Sequence, residues 1–132
     1  MRKRTTLVRL AAMTLPALAL VAATPAPARA DVPAGYLTLF EDQLQGGNQR
    51  SFSVTHPKLK NAGFNDKASS VYNRSTTAWV VYEDTNYSGD NFCVQPGQDI
   101  EDLHGAPWFF GDKISSVVNT QMPDCGGLPQ RP

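Results

Sequence analysis

The sequence is poor in the residues on which most enzymes and transition-metal sites depend. Among its 132 residues are only two cysteines and two histidines. His56 and His104 each stand alone, with no second histidine at metal-binding spacing and no serine in a nucleophile-elbow motif. The adjacent carboxylates at residues 41–42 and 83–84 would point to opposite faces of a strand and so would not share a substrate. We therefore expect a non-enzymatic protein.

Acidic residues are missing from the first 30 residues, which contain five of the 12 basic ones. A basic start is followed by an apolar run over residues 10–23 and then by a small-x-small cleavage pattern at residues 28–30. The run is shorter than the roughly 20 residues needed to span a bilayer. Residues 1–30 are interpreted as a secretory signal peptide, so we expect a secreted, extracellular protein with no membrane partner.

The chain after that leader is acidic. Its 102 residues carry 12 acidic and seven basic side chains, a formal charge of −5, and the acidic residues are scattered. Such a chain lacks the basic footprint of proteins that bind nucleic acid or anionic lipid, so neither is expected as a partner. Its length suits one domain with one core, or two small halves that share one core, and we expect a monomer.

The two cysteines are expected to pair. In an exported protein Cys93 and Cys125 favour a single disulfide that ties the C-terminal tail back to a strand, because Cys93 lies in an alternating pattern. Residues 122–132 are rich in proline and glycine and are predicted to form a tail, held at Cys125 and loose beyond it. Trp79, Trp108, Phe109 and Phe110 are expected in the core.

The rest of the chain repeats one pattern twice. Residues 64–71 (FNDKASSV) return as residues 110–117 (FGDKISSV), and residues 36–42 (YLTLFED) match residues 78–84 (AWVVYED). Each alternating segment is followed by a glycine, as in a β-hairpin, and each polar block reads as a turn that enters a strand. No helical apolar period follows the leader, although residues 99–104 carry a helix-start signal. The fold class is therefore all-β, with two units of about four strands packed as a sandwich.

These motifs resemble those of the βγ-crystallins. Residues 82–89 (YEDTNYSG) are similar to the aromatic hairpin of a Greek key, and residues 65–70 (NDKASS) fit the family's calcium signature. The resemblance implies a βγ-crystallin-like sandwich of two Greek-key motifs over residues 31–121, the first at about 35–75 and the second at about 76–121. The sequence is most similar to the small secreted bacterial members of this family, a group that includes metallopeptidase inhibitors.

The resemblance also implies calcium sites at the two polar turns. The first serine of each signature would supply its hydroxyl, and carbonyls from the turn and the hairpin glutamate would complete the shell, with Asn65 serving a site completed by the other half. Calcium takes six to eight such oxygens, and weak binding in the high micromolar to millimolar range is expected. The implied residues are Glu41, Asn65, Asp66, Lys67, Ser69, Glu83, Asp112, Lys113 and Ser115.

A plainer interpretation of these turns stays open. Ser, Asn and Asp also cap their own backbone in turns that hold no metal. The second signature begins with Gly111, which removes a side-chain oxygen, so the two turns are expected to bind unequally.

We thus expect a secreted βγ-crystallin-type domain of the peptidase-inhibitor-like group, which binds a secreted peptidase. The alternative is a calcium-stabilised extracellular structural or stress protein with no protease target. The loops long enough to contact a peptidase are residues 55–63 and 95–107, and the ordinary interpretation of each is a Greek-key connection.

Overall fold

A computed structural model describes residues 31–131, so the predicted signal peptide at residues 1–30 lies outside the described part of the chain. The elements in chain order are β1 (Leu37–Phe40), β2 (Gln49–Phe52), a 3-10 helix (Leu59–Ala62), β3 (Ser70–Asn73), β4 (Trp79–Asp84), β5 (Ser88–Val94), β6 (Asp99–Ile100) and β7 (Ser116–Asn119). This all-β set confirms the expected fold class. Within residues 31–131 no helix has the length and apolarity to cross a bilayer.

The strands form two antiparallel sheets that exchange parts between the two halves. One sheet has the order β2-β1-β3-β6 and the other β5-β4-β7. β6 comes from the second half but pairs with β3 of the first, where Val71 faces Ile100. In return, His56 of the first half forms a β-bridge with Val117 of β7. Each half thus gives the segment after its hairpin to the other half's sheet, which the repeat pattern did not predict.

The helix-start signal at residues 99–104 is overridden by this exchange. Asp99 and Ile100 form β6, and Leu103 is fully buried beyond it. The sheet pairing of Ile100 satisfies its backbone and buries its side chain together, which one isolated helical turn would not achieve. The helix that does form, Leu59–Ala62, ends at Gly63 with a left-handed φ of 69°.

The core lies between the sheets and follows the alternation of the strands. In β4 the side chains of Trp79 and Val81 are fully buried in the main cluster, whereas Val80 belongs to a second cluster on the opposite face. Trp79 keeps its indole N–H satisfied by donating to Ser75 Oγ at 3.0 Å. The β5-β4-β7 sheet is therefore covered on both faces.

The C-terminal tail covers the outer face of that sheet. The expected disulfide joins Cys93 to Cys125, and both cysteines pack in the second cluster. The tail was expected to be loose beyond Cys125, but the Cys93 N–H donates to the carbonyl of Pro129 at 2.6 Å, so the tail pairs with the edge strand β5. Arg131 then lies 5.4 Å and 5.2 Å from the ring centres of Phe92 and Phe110.

We predict that removal of the disulfide by C93A/C125A lowers the free energy of unfolding by about 3–4 kcal/mol. The bond closes a loop between cysteines 32 positions apart, and its loss frees that loop in the unfolded chain. Urea unfolding of the variant and of reduced wild-type protein measures the change. Equal midpoints for oxidised and reduced wild-type protein would contradict the prediction.

Candidate functional site

The two polar turns lie side by side and are joined by backbone hydrogen bonds. Asp66 donates its N–H to the carbonyl of Ile114 at 3.1 Å, and Asp112 donates its N–H to Ala68 at 2.9 Å. Both aspartates have left-handed φ values, 53° and 56°, a region that Asp tolerates better than most residues. Each turn is thus fastened to the other half of the chain.

The carboxylate of each turn contacts the first serine of the other. Ser115 Oγ donates to Asp66 Oδ1 at 2.9 Å, and Ser69 Oγ contacts Asp112 Oδ1 more loosely at 3.4 Å. The resemblance implies that Asn65 lends a side-chain oxygen to a metal site completed by the other half, and this role stays a prediction. In the structure Asn65 Nδ2 donates to Asp66 Oδ2 at 2.9 Å, while its Oδ1 is buried without a partner among the described residues. The side-chain hydrogen bonds between the two turns are therefore those of Asp66 and Asp112.

The hairpin glutamates are brought to the turns by a further pair of backbone bonds. The N–H of Ser115 donates to the carbonyl of Tyr82 at 2.9 Å, which places the next residue, Glu83, beside the turn. In the first half the N–H of Ser69 donates at 2.8 Å to the residue before Glu41. The repeated sequence therefore produces the same turn-to-hairpin contact twice.

The second serine of each signature has a different role from the first. Ser116 Oγ donates to the carbonyl of Asp84 at 2.6 Å and accepts the N–H of Tyr87 at 3.1 Å. Ser70 makes the same two bonds to the first hairpin, at 2.7 Å and 3.1 Å. Both serines are fully buried, so they hold the hairpin loop against the turn. Sequence reasoning missed this role, although the constant spacing of hairpin and turn in both halves was its visible signal.

Around the second turn the side chains line a cavity of about 240 Å³. Four of its lining residues are carboxylates and one is a lysine, so its formal charge is negative. The ion pair found within residues 31–131 joins Arg131 to Asp90, outside this cavity. The lining residues are Asp66, Glu83, Asp84, Asp112, Lys113 and Ser115.

The chemistry of this cavity suits a hard cation held mainly by neutral oxygens. Within residues 31–131 no three His, Cys, Asp or Glu side chains come close enough to hold a metal ion by themselves. A cation here would therefore need hydroxyl and backbone carbonyl oxygens as well as a carboxylate. Calcium accepts such mixed oxygen shells, whereas zinc favours His and Cys ligands.

At the first turn a histidine side chain contacts the signature serine. His104 Nε2 lies 2.9 Å from Ser69 Oγ. His104 is exposed, yet it contacts a serine that lies 35 positions away in the sequence. The two turns have similar sequences, but different side chains lie beside their first serines.

The chain is similar to known proteins over most of the described region. Residues 25–94 match the model of peptidase inhibitor family I36. A beta/gamma-crystallin of Ciona intestinalis is 36% identical over 86 residues, which make up 63% of this chain and 95% of that protein. Among solved structures, a βγ-crystallin from Ciona intestinalis has a TM-score of 0.59 at 30% identity and covers 65% of this chain and 100% of its own. A βγ-crystallin domain from Clostridium beijerinckii has a TM-score of 0.53 at 25% identity, over 63% of this chain and 94% of its own.

We predict that Ser116→Ala lowers the free energy of unfolding by about 1–3 kcal/mol, because it leaves the carbonyl of Asp84 and the N–H of Tyr87 without their partner. Ser70→Ala should act in the same direction. The matched control is Ser53→Ala, at an exposed residue. Chemical unfolding compares the three variants, and a Ser116→Ala protein as stable as the control would contradict the proposed hairpin contact.

Proposed function

Because the chain belongs to peptidase inhibitor family I36 and to the βγ-crystallin superfamily, it is a non-enzymatic protein, and we propose that it is a secreted, calcium-binding inhibitor of a metallopeptidase. The family match is the observation that carries this proposal. Family, fold class and non-enzymatic character agree with what the sequence predicted. The target class, calcium binding and secretion are the parts that we propose.

An exposed aromatic residue supports a contact surface for the peptidase. Phe109 was expected in the core, but 62% of it is exposed. Its φ of 45° is in the left-handed region, where a bulky residue is strained by about 1–3 kcal/mol. Such a conformation persists only where the surrounding structure imposes it. Exposed aromatic side chains that fill a partner's pocket contribute strongly to protein–protein affinity.

The segment around Phe109 is held on several sides. The N–H groups of Trp108 and Phe109 both donate to the carbonyl of Gly105, at 3.0 Å and 3.1 Å. The Trp108 ring packs 5.0 Å from the ring of Phe92, and Arg131 donates to the Trp108 carbonyl. A protruding residue on a held loop loses little conformational entropy on binding, which favours tight inhibition. We therefore propose residues 104–109 as the peptidase-contacting segment.

The other candidate loop, residues 55–63, is packed against the domain. His56 pairs with Val117, and Leu59 in the 3-10 helix is fully buried. Most of this loop is thus a Greek-key connection, although Val54, the residue before it, is 69% exposed. Val54 therefore provides an apolar control for Phe109.

The cavity at the second turn supports calcium binding. Asp66 would offer its carboxylate and Ser115 its hydroxyl, while Glu83 and Lys113 would offer backbone carbonyls. Calcium supplies a positive charge that offsets the negative lining of the cavity. Because Asp66 comes from the first Greek key and Ser115 from the second, a cation held by both would join the two halves. Calcium binding would thus stabilise the scaffold that presents the inhibitory loop.

We predict that the mature protein inhibits a secreted metallopeptidase stoichiometrically and that Phe109→Ala weakens this inhibition at least tenfold. The aromatic side chain would be lost from the contact while the scaffold remains. Inhibition constants against a panel of secreted metallopeptidases and serine peptidases measure the effect, with Val54→Ala as the control. A weaker Val54→Ala with an unchanged Phe109→Ala would assign the contact to the surface around Val54 instead. No inhibition of any peptidase would favour the structural or stress protein.

We predict that calcium at ten times its dissociation constant adds about 1.4 kcal/mol to the free energy of unfolding, because it binds the folded state only. For a domain of this size the melting temperature should rise by about 5–10 °C. Thermal unfolding with and without calcium measures the shift. Ser115→Ala should reduce it strongly and Ser53→Ala should not. An unchanged wild-type midpoint, with no heat in a calcium titration, would rule out the site.

A further inference from the structure

The two halves can be compared position by position through their backbone hydrogen bonds. Leu59 in the first half and Leu103 in the second are fully buried, and each donates its N–H at 2.9 Å to the carbonyl of the first serine in the opposite turn. The residues that follow these leucines are Lys60 and His104. They therefore hold equivalent positions, Lys60 beside the turn of Ser115 and His104 beside the turn of Ser69.

At these equivalent positions the side chains behave differently. His104 Nε2 shares a hydrogen bond of 2.9 Å with Ser69 Oγ. The Ser69 hydroxyl thus has two side-chain partners, His104 Nε2 at 2.9 Å and Asp112 Oδ1 at 3.4 Å. The backbone of His104 is fixed as well, because its N–H donates to Asp102 Oδ1 at 2.8 Å. A ring nitrogen thus lies within hydrogen-bond distance of the oxygen that a cation in the first turn would need.

A second difference between the halves makes room for this ring. A Cβ atom on Gly111 would lie 2.1 Å from His104 Nδ1 and 2.3 Å from Cε1, far inside van der Waals contact. The equivalent position in the first half is Asn65. The halves therefore differ at two coupled positions. The first half has Lys60 and Asn65, and the cavity at the turn of Ser115 is open. The second half has His104 and Gly111, and the histidine ring contacts Ser69.

We infer that His104 takes the place of a cation at the first turn, so that the domain binds one calcium ion, at Ser115, rather than two. The number of ions rests on the proposed calcium function, whereas the contact between His104 and Ser69 is independent of it. The same contact makes His104 a positioning residue, because it attaches the start of segment 104–109 to the first Greek key. Gly111 was expected to weaken a calcium site by removing an oxygen; in this geometry it admits the ring that replaces the ion.

The test is the number of calcium ions bound, measured by isothermal titration of the wild-type protein and its variants. His104→Ala removes the ring, and Gly111→Ala keeps the ring but displaces it. Both should gain one site relative to wild type, from one to two. Addition of Ser69→Ala to His104→Ala should remove the gained site. Lys60→Ala, at the equivalent position of the other half, is the matched control and should gain none.

The change in site number decides the inference, and the wild-type number decides the proposed site at Ser115. A gain in His104→Ala or Gly111→Ala supports the inference even if the wild type binds no calcium, in which case only the Ser115 site is disproved. No gain in either folded variant, or two sites in the wild type, overturns it. Circular dichroism checks that each variant is folded. If His104→Ala does not fold, the number of sites in Gly111→Ala decides the inference.

Discussion

Neither half of this chain completes its own β-sheet. The rest of the structure depends on the segments that each half takes from the other. The sheet of β1, β2 and β3 takes β6 from the second half, and β7, which pairs with β4, also forms a β-bridge with His56 of the first. Buried backbone N–H and C=O groups must be paired. The two halves therefore exchange these segments and do not only pack together. The sandwich is therefore built jointly by two halves of similar sequence.

The exchange also determines where the polar turns lie. Each turn directly precedes the strand that pairs with the exchanged segment, so both turns meet where the halves cross. Asp66 then reaches Ser115, and Asp112 reaches Ser69, across the boundary between the halves. A cation held in this place would act on both halves at once. The second serines, Ser70 and Ser116, make contacts within their own half instead, because each holds a hairpin loop to the turn of the same half.

The exchanged segment links the candidate calcium region to the candidate inhibitory segment. After β6 the chain passes Leu103, whose N–H bonds to the first turn, and continues through His104 to the exposed Phe109. The loop that would contact a peptidase is thus fastened directly to the crystallin core. The Arg131 side chain supports it from the other side, which gives the C-terminal tail a structural role.

Much of the fold could be predicted because its signals are local. Period-2 alternation, aromatic hairpins and repeated turns located most of the strands, and a chain with two cysteines allowed one internal disulfide. The sequence by itself thus determined the duplicated all-β architecture and the residues of the two turns. Only the tertiary structure decided that Asp66 and Asp112 each contact the first serine of the opposite turn, that Phe109 is exposed, that the tail pairs with β5 and that His104 contacts Ser69. These features depend on contacts between residues far apart in sequence, where exchange of segments and competition for space override the preferences of each residue.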